Sequence, residues 1–216
     1  MRQFLVVGLG RFGSSLAKTL YNLGHDVMGI DSNEEIIQNI ADSITHAVQA
    51  DATDENTLKA LGVRNFDVAI VSIGDDIQAS ILVTIMLKEM GIRYVVAKAQ
   101  SQLHGKVLYK IGADRVVFPE RDMGVRVAHN LVSSNILDYI ELSPEYSIVE
   151  IVAIPAWFDK SLRQLNMRKK YGLNVMAIKR DDNVMISPHA DDVILKDDIL
   201  VVVGHKGDIE KFERYV

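Results

Sequence analysis

The chain has no cysteine, which excludes disulfides, thiolate metal sites and a cysteine nucleophile, and is compatible with a reducing cytoplasm. It also lacks any apolar run near the ~20 residues a membrane-spanning helix needs. The richest, Ile81 to Leu87, meets Lys88 and Glu89 at once, so a soluble chain is expected. Met1-Arg2-Gln3 leads straight into the strand-like Phe4 to Val7, leaving no room for a signal peptide. There is no basic excess either: 24 Lys and Arg stand against 29 Asp and Glu, a formal net charge of -5. Nucleic acid, whose phosphates call for a basic face, is therefore not an expected partner. The six histidines, His25, His46, His104, His129, His189 and His205, show no close metal-ligand spacing, and none pairs with a carboxylate and a nucleophile.

What is present suits a folded chain of two parts. Its 216 residues are 48% hydrophobic and 25% charged, enough for one domain of about 150 residues and a smaller one. Short β-branched runs alternate with amphipathic stretches, the pattern of βαβ units on a parallel sheet. Strands are expected at Phe4 to Val7, Val27 to Ile30, Thr45 to Gln49, Val68 to Ser72, Tyr94 to Ala97 and Arg115 to Phe118. Between them, Phe12, Leu16, Leu20 and Leu23 recur at helical spacing, as do Ile77, Ile81 and Ile85. Gly24, Gly62, Gly91 and Gly112 each follow such a stretch, where a helix end commonly takes a left-handed residue. A helix is expected from about Asp122 to Ser134, with Val125, Ala128 and Val132 on one face.

The polar segment Glu141 to Ser147 carries Pro144 and marks a domain boundary. The fold class expected is α/β: a Rossmann-like doubly wound sheet over 1–143, then a small α+β domain over 144–216. In the latter, Ile148 to Ile154, Asn174 to Ile178, Val184 to Ile186 and Ile199 to Val203 read as strands, Leu162 to Lys169 and Lys206 to Tyr215 as helices. A core this thin leans on a partner, so a symmetric oligomer is expected.

Gly8-Leu9-Gly10-Arg11-Phe12-Gly13 joins the first strand to the first helix. In such a G-x-G-x-x-G the first glycine permits the turn, the second admits a phosphate close to the backbone, and the third lets helix and sheet approach. Exposed N–H groups at the helix start then hold the anion. Asp31 ends the second strand, where an acid accepts hydrogen bonds from ribose hydroxyls and repels a 2′-phosphate, favouring NAD or an adenine nucleotide over NADP. A purely structural glycine turn with a helix-capping Asp31 is the plain alternative. Asp51-Ala52-Thr53-Asp54, Ser72-Ile73-Gly74 and Lys98 stand at later strand ends, where ligands of open α/β sheets bind; equally, Asp54 could cap a helix and Ser72 and Gly74 could only shape a turn. Arg11 can meet a terminal phosphate, a contact an ordinary dinucleotide site does not need. No substrate pocket or proton donor for hydride transfer is evident, so the site reads as a sensor, with a small NAD-dependent oxidoreductase as the alternative.

Together, the glycine loop, Asp51-Ala52-Thr53-Asp54, Ile77-Gln78-Ala79-Ser80, Lys98-Ala99-Gln100, Ile111-Gly112-Ala113-Asp114 and Pro119-Glu120-Arg121-Asp122-Met123-Gly124 resemble the gating subunits of bacterial Ktr potassium-uptake systems, within the RCK family, over the whole chain. The resemblance implies a homo-octameric ring, a tetramer of dimers, lying in the cytoplasm against the inner face of the membrane on an integral potassium-translocating subunit. It implies that ATP favours the conducting state and ADP the closed one, with NAD(H) as a further occupant. The nucleotide set it implies is Gly8, Gly10, Arg11, Phe12, Gly13, Asp31, Ser32, Asp51, Ala52, Thr53, Ser72, Ile73, Gly74, Lys98 and Glu120. Glu120 would also hold a divalent or monovalent cation beside the phosphates; its other reading is a first-turn acid favourable to the helix dipole. In the C-terminal domain, Arg168, Asn174, Val175, Ile178, Pro188 and His189 resemble a cyclic di-AMP pocket, with Arg and Asn suited to phosphate and ribose and Ile178 and Pro188 to adenine. A dimerisation core with a surface Arg is the alternative there.

Overall fold

The computed structural model describes residues 1–132 and 135–215. Its packing divides into two units, Met1–Pro119 and Glu120–Val216. In the first, β1 (Gln3–Val7), β2 (Asp26–Asp31), β3 (His46–Gln49), β4 (Val68–Val71), β5 (Tyr94–Lys98) and β6 (Arg115–Val117) alternate with α1 (Arg11–Asn22), α2 (Glu34–Ile40), α3 (Glu55–Ala60), α4 (Ile77–Glu89) and α5 (Gln102–Lys110). The sheet order is β3-β2-β1-β4-β5-β6, all parallel. This is the doubly wound arrangement expected, with the order reversing between β1 and β4, where such sheets open a crevice for ligands.

β1 shows why the sheet is covered on both faces. Leu5 and Val7 pack into one apolar layer with Ile30, Val71 and Leu87, while Val6 faces the other with Ala17, Val27 and Ile70. Successive side chains of a strand point to opposite faces, so a continuous apolar run requires cover on both. Each fully buried Leu or Ile stabilises the layer by about 1.5–3 kcal/mol. Gly24, Gly62, Gly91 and Gly112 adopt φ of 83°, 67°, 86° and 102°, the left-handed helix exits expected of them.

The second unit holds α6 (Pro119–Val132), which begins with the last residue of the first unit, then β7 (Ile136–Glu141), β8 (Tyr146–Val152), β9 (Lys160–Ser161), α7 (Leu162–Leu165), α8 (Met167–Tyr171), β10 (Asn174–Arg180), β11 (Asn183–Ile186), β12 (Val193–Ile194), β13 (Ile199–His205) and α9 (Lys206–Tyr215). The main sheet runs β11-β10-β13-β8-β7, antiparallel throughout, with β9 and β12 paired separately. β8 alternates buried and half-buried residues, as a sheet covered on one face should. That face packs on Trp157, which stacks on Phe212 at 5.4 Å, and Phe212 meets Tyr171 edge-on at 5.3 Å.

By packing the chain divides after Pro119, because Leu142 and Ser143 lie in the hairpin between β7 and β8 and α6 is fastened to β7. Arg126 meets the Asp138 carboxylate through two guanidinium nitrogens, and His129 stacks on Tyr139 with centroids 4.1 Å apart. Val125 and Ala128 lie exposed on one face of α6, as expected, while Arg126 and His129 face the sheet. The side chain of Val132 and residues Ser133 and Ser134, on which that expectation also fell, lie outside the described residues. Finally, the helix expected over Leu162 to Lys169 is two, broken at Asn166, whose φ of 46° is left-handed.

Candidate functional site

The glycine loop sits at the β1/β4 crevice. Gly8 has φ +87°, a conformation open to glycine, and a Cβ there would lie 3.0 Å from the Ile73 nitrogen after β4. A Cβ on Gly13 would stand 2.0 Å from the Gly8 carbonyl oxygen and 2.4 Å from Ser72 Oγ, so only glycine lets α1 approach the loop this closely. Gly10 differs: nothing lies within 4 Å of the Cβ position, and the space above the loop is open. Gly10 is also the N-cap of α1 with no side-chain cap, and the first turn carries no acid. The first-turn N–H groups, which no helical carbonyl can satisfy, therefore face an open position suited to an anion.

Asp31 is tied into the same loop. Its carboxylate accepts the Leu9 N–H at 2.7 Å and the Asn33 N–H at 2.9 Å. The cap of α2 is Asn33, which accepts from Glu35 and Ile36, so the capping alternative for Asp31 does not hold. A carboxylate has about four acceptor positions, and the two in use leave room for ribose hydroxyls. Ser32, next to it, is exposed.

At the other strand ends the residues divide by role. Asp51 is exposed, and the Thr53 hydroxyl and N–H, both donating to it, hold its carboxyl below the ordinary value. Ala52 is buried and Asp54 caps α3. Ser72 is buried, and its hydroxyl donates to the Gly8 carbonyl, bracing the loop across the switch point. Lys98, at the end of β5, brings its ammonium to 3.8 Å from the Cβ position of Gly74, toward the same crevice. Arg11 is exposed at the helix start, and Phe12 beside it is half-buried. Gly8, Gly10, Arg11, Phe12, Gly13, Asp31, Ser72, Ile73, Gly74 and Lys98 thus gather at one end of one sheet. Glu120 stands exposed in the first turn of α6, in the second unit, where an acid also favours the helix dipole. Among the described residues no group of three His, Asp or Glu forms a metal site.

In the second unit Arg168 is exposed on α8, and Asn174 and Val175 open β10. Pro188 is half-buried and His189 exposed, both after β11. Ile178 is 1% exposed and packs in the core with Val202 and Phe212. The sequence reading missed the Leu9 N–H as the partner of Asp31, since a backbone donor leaves no residue-type signal.

This geometry defines a Rossmann-type nucleotide-binding domain followed by a small antiparallel α+β domain. Residues 4–119 match the TrkA-N domain and residues 147–216 the TrkA-C domain, and the chain belongs to this family of potassium-uptake regulators, the RCK family. It is 52% identical over 215 residues to Ktr system potassium uptake protein C of Bacillus subtilis (strain 168), covering 100% of this chain and 97% of that one. It is 51% identical over 212 residues to Ktr system potassium uptake protein A of the same organism, covering 98% and 96%. The solved RCK domain of GsuK shares the fold, with a TM-score of 0.69 at 18% identity over 99% of this chain and 47% of that chain. Both Bacillus subtilis relatives are Ktr system potassium uptake proteins and not enzymes, so the oxidoreductase alternative is set aside. No helix among the described residues is long and apolar enough to cross a membrane.

Proposed function

We propose that the chain gates its membrane partner by holding ATP or ADP at the glycine loop. The observation that carries this reading is the open position above Gly10, framed by first-turn N–H groups and by Asp31 locked to Leu9. Asp31 takes the ribose, the α1 N-terminus the first phosphates, and Arg11 a third phosphate if there is one. A ligand shifts an equilibrium only through unequal affinity for its two states, and Arg11 supplies that inequality between ATP and ADP. Asp51, Thr53 and Lys98 line the rim, Glu120 holds a cation beside the phosphates, and NAD(H) is a further occupant. The ring is a homo-octamer on the cytoplasmic face of the membrane, seated on an integral potassium-translocating subunit.

In the C-terminal domain one cyclic di-AMP binds per pair of subunits, since a ligand with two equivalent halves suits the same patch presented twice about an axis. Arg168 and Asn174 meet phosphate and sugar, and Val175, Pro188 and His189 flank the base. Binding there opposes the conducting shape.

Calorimetric titration of ATP and ADP into the unmodified chain and into Arg11→Ala tests the first site. ATP affinity should fall roughly 5- to 10-fold, the loss of one charge-assisted contact at an exposed position, with ADP affinity nearly unchanged. Equal losses for both nucleotides would remove Arg11 from the discrimination.

A further inference from the structure

Pro188 and His189 lie in the segment between β11 and β12, and that segment is fastened at both ends. Ser187, at φ 53°, donates its N–H to the Met176 carbonyl of β10 at 2.8 Å. The His189 N–H donates to the Asp192 carboxylate at 2.6 Å, and the Asp192 N–H returns to the His189 carbonyl at 3.1 Å. Two carbonyls of the same turn cap α7: Ala190 accepts the Arg163 N–H at 2.7 Å and Asp192 accepts the Leu162 N–H at 3.0 Å. Over this backbone seam the Arg163 guanidinium takes both oxygens of Asp191, Nε at 2.8 Å and Nη2 at 3.3 Å. α7 runs through Asn166 directly into α8, which carries Arg168.

We propose that Arg163 and Asp191 are positioning residues for the C-terminal ligand site, a reading that rests on cyclic di-AMP as the ligand there. Their forked pairing fixes the turn that carries His189 to the helix pair that carries Arg168, so two segments distant in sequence meet the ligand as one preformed surface. The pairing has a second consequence. It neutralises Asp191, two residues from His189, whose free carboxylate would repel the ligand's phosphates. A planar guanidinium engages both carboxylate oxygens at once, which an ammonium cannot do. The side chains are 67% and 79% exposed, and a pair so open to water contributes little to folding. Its effect should therefore be read in affinity and not in stability.

The test is calorimetric titration of cyclic di-AMP into the full chain, with thermal melting of each variant alongside. Arg163→Ala and Asp191→Ala should each weaken binding about 5-fold or more, with melting temperatures within about 2 °C of the unmodified chain. Arg163→Lys should recover only part of the loss, and the exchanged pair Arg163→Asp with Asp191→Arg most of it. Unchanged affinity in Arg163→Ala overturns the proposal, as does tighter binding in Asp191→Ala, which would mean that Asp191 only repels the ligand. A direct phosphate contact from Arg163 would appear as a loss that the exchanged pair fails to restore, and would overturn it too. If the unmodified chain binds no cyclic di-AMP, the ligand reading fails and takes this inference with it; binding with unaltered variants defeats the positioning role alone.

Discussion

Three glycines of one loop serve three physical ends, and substitution can separate them. Gly13→Ala would place a methyl group 2.0 Å from the Gly8 carbonyl oxygen, so the helix must move; a loss of about 1–3 kcal/mol of stability is expected, read by chemical denaturation. Gly10→Ala meets nothing within 4 Å and should cost about 0.5 kcal/mol as a poorer helix cap, while weakening nucleotide binding far more than that. Nucleotide binding intact in Gly10→Ala would mean that the open position is not where the phosphate sits. The spacing of the glycines was legible because each use follows from backbone sterics. What residue type could not carry was direction: Ser72 reads equally as a ligand contact or a turn residue, and only the structure turns its hydroxyl inward to Gly8; Ile178 reads as an apolar wall for adenine, and only the structure shows its side chain packed in the core. Both depend on tertiary contacts formed by distant segments.

Among the elements of the second unit, the Arg180–Asp198 pair carries the clearest energetic consequence. Asp198 is wholly buried, and its carboxylate accepts two bonds from Arg180, each at 2.8 Å, and one from the Leu195 N–H. Burial alone would raise its pKa, but the Arg180 and Leu195 donors outweigh it and hold the carboxyl below the ordinary value. A carboxyl depressed in the folded state gives stability that is present above its unfolded pKa, about 4, and lost as pH falls through the folded value. Denaturation midpoints should therefore be level from pH 7 to 5 and drop below about pH 4. Asp198→Asn should flatten that drop while costing about 2 kcal/mol at neutral pH, modest for a broken ion pair because Arg180 is partly exposed. An acid limb just as steep in the variant would assign the drop to other carboxylates, such as Asp138 beside Arg126 or Asp114 beside Lys88. β2, β4, β5 and β6 were legible as elements because each is a short apolar run after a glycine helix exit. β7 was not, since Asp138 interrupts its alternation at a bulge against β8, and only the pairing with Arg126 shows why an acid belongs there.

Over the whole chain a TrkA-N domain is followed by a TrkA-C domain, and the likeness to the Ktr potassium uptake proteins extends across both. α6 leaves Met123, Val125, Val127 and Leu131 exposed, and contiguous apolar surface of this kind marks interaction sites. Light scattering at micromolar concentration should give the mass of a symmetric oligomer larger than a dimer, and a strictly monomeric mass would contradict the ring. A symmetric oligomer is expected from the thinness of the second core, whereas the subunit number comes only from the family resemblance. The nucleotide held at the glycine loop is proposed to set the flux. The most direct test is potassium flux into vesicles carrying the membrane partner and this chain, compared under saturating ATP and saturating ADP. Faster flux with ATP, with the difference narrowed by Arg11→Ala, is the expected result; equal flux under the two nucleotides, with both shown to be bound, would mean that the glycine-loop nucleotide does not gate transport.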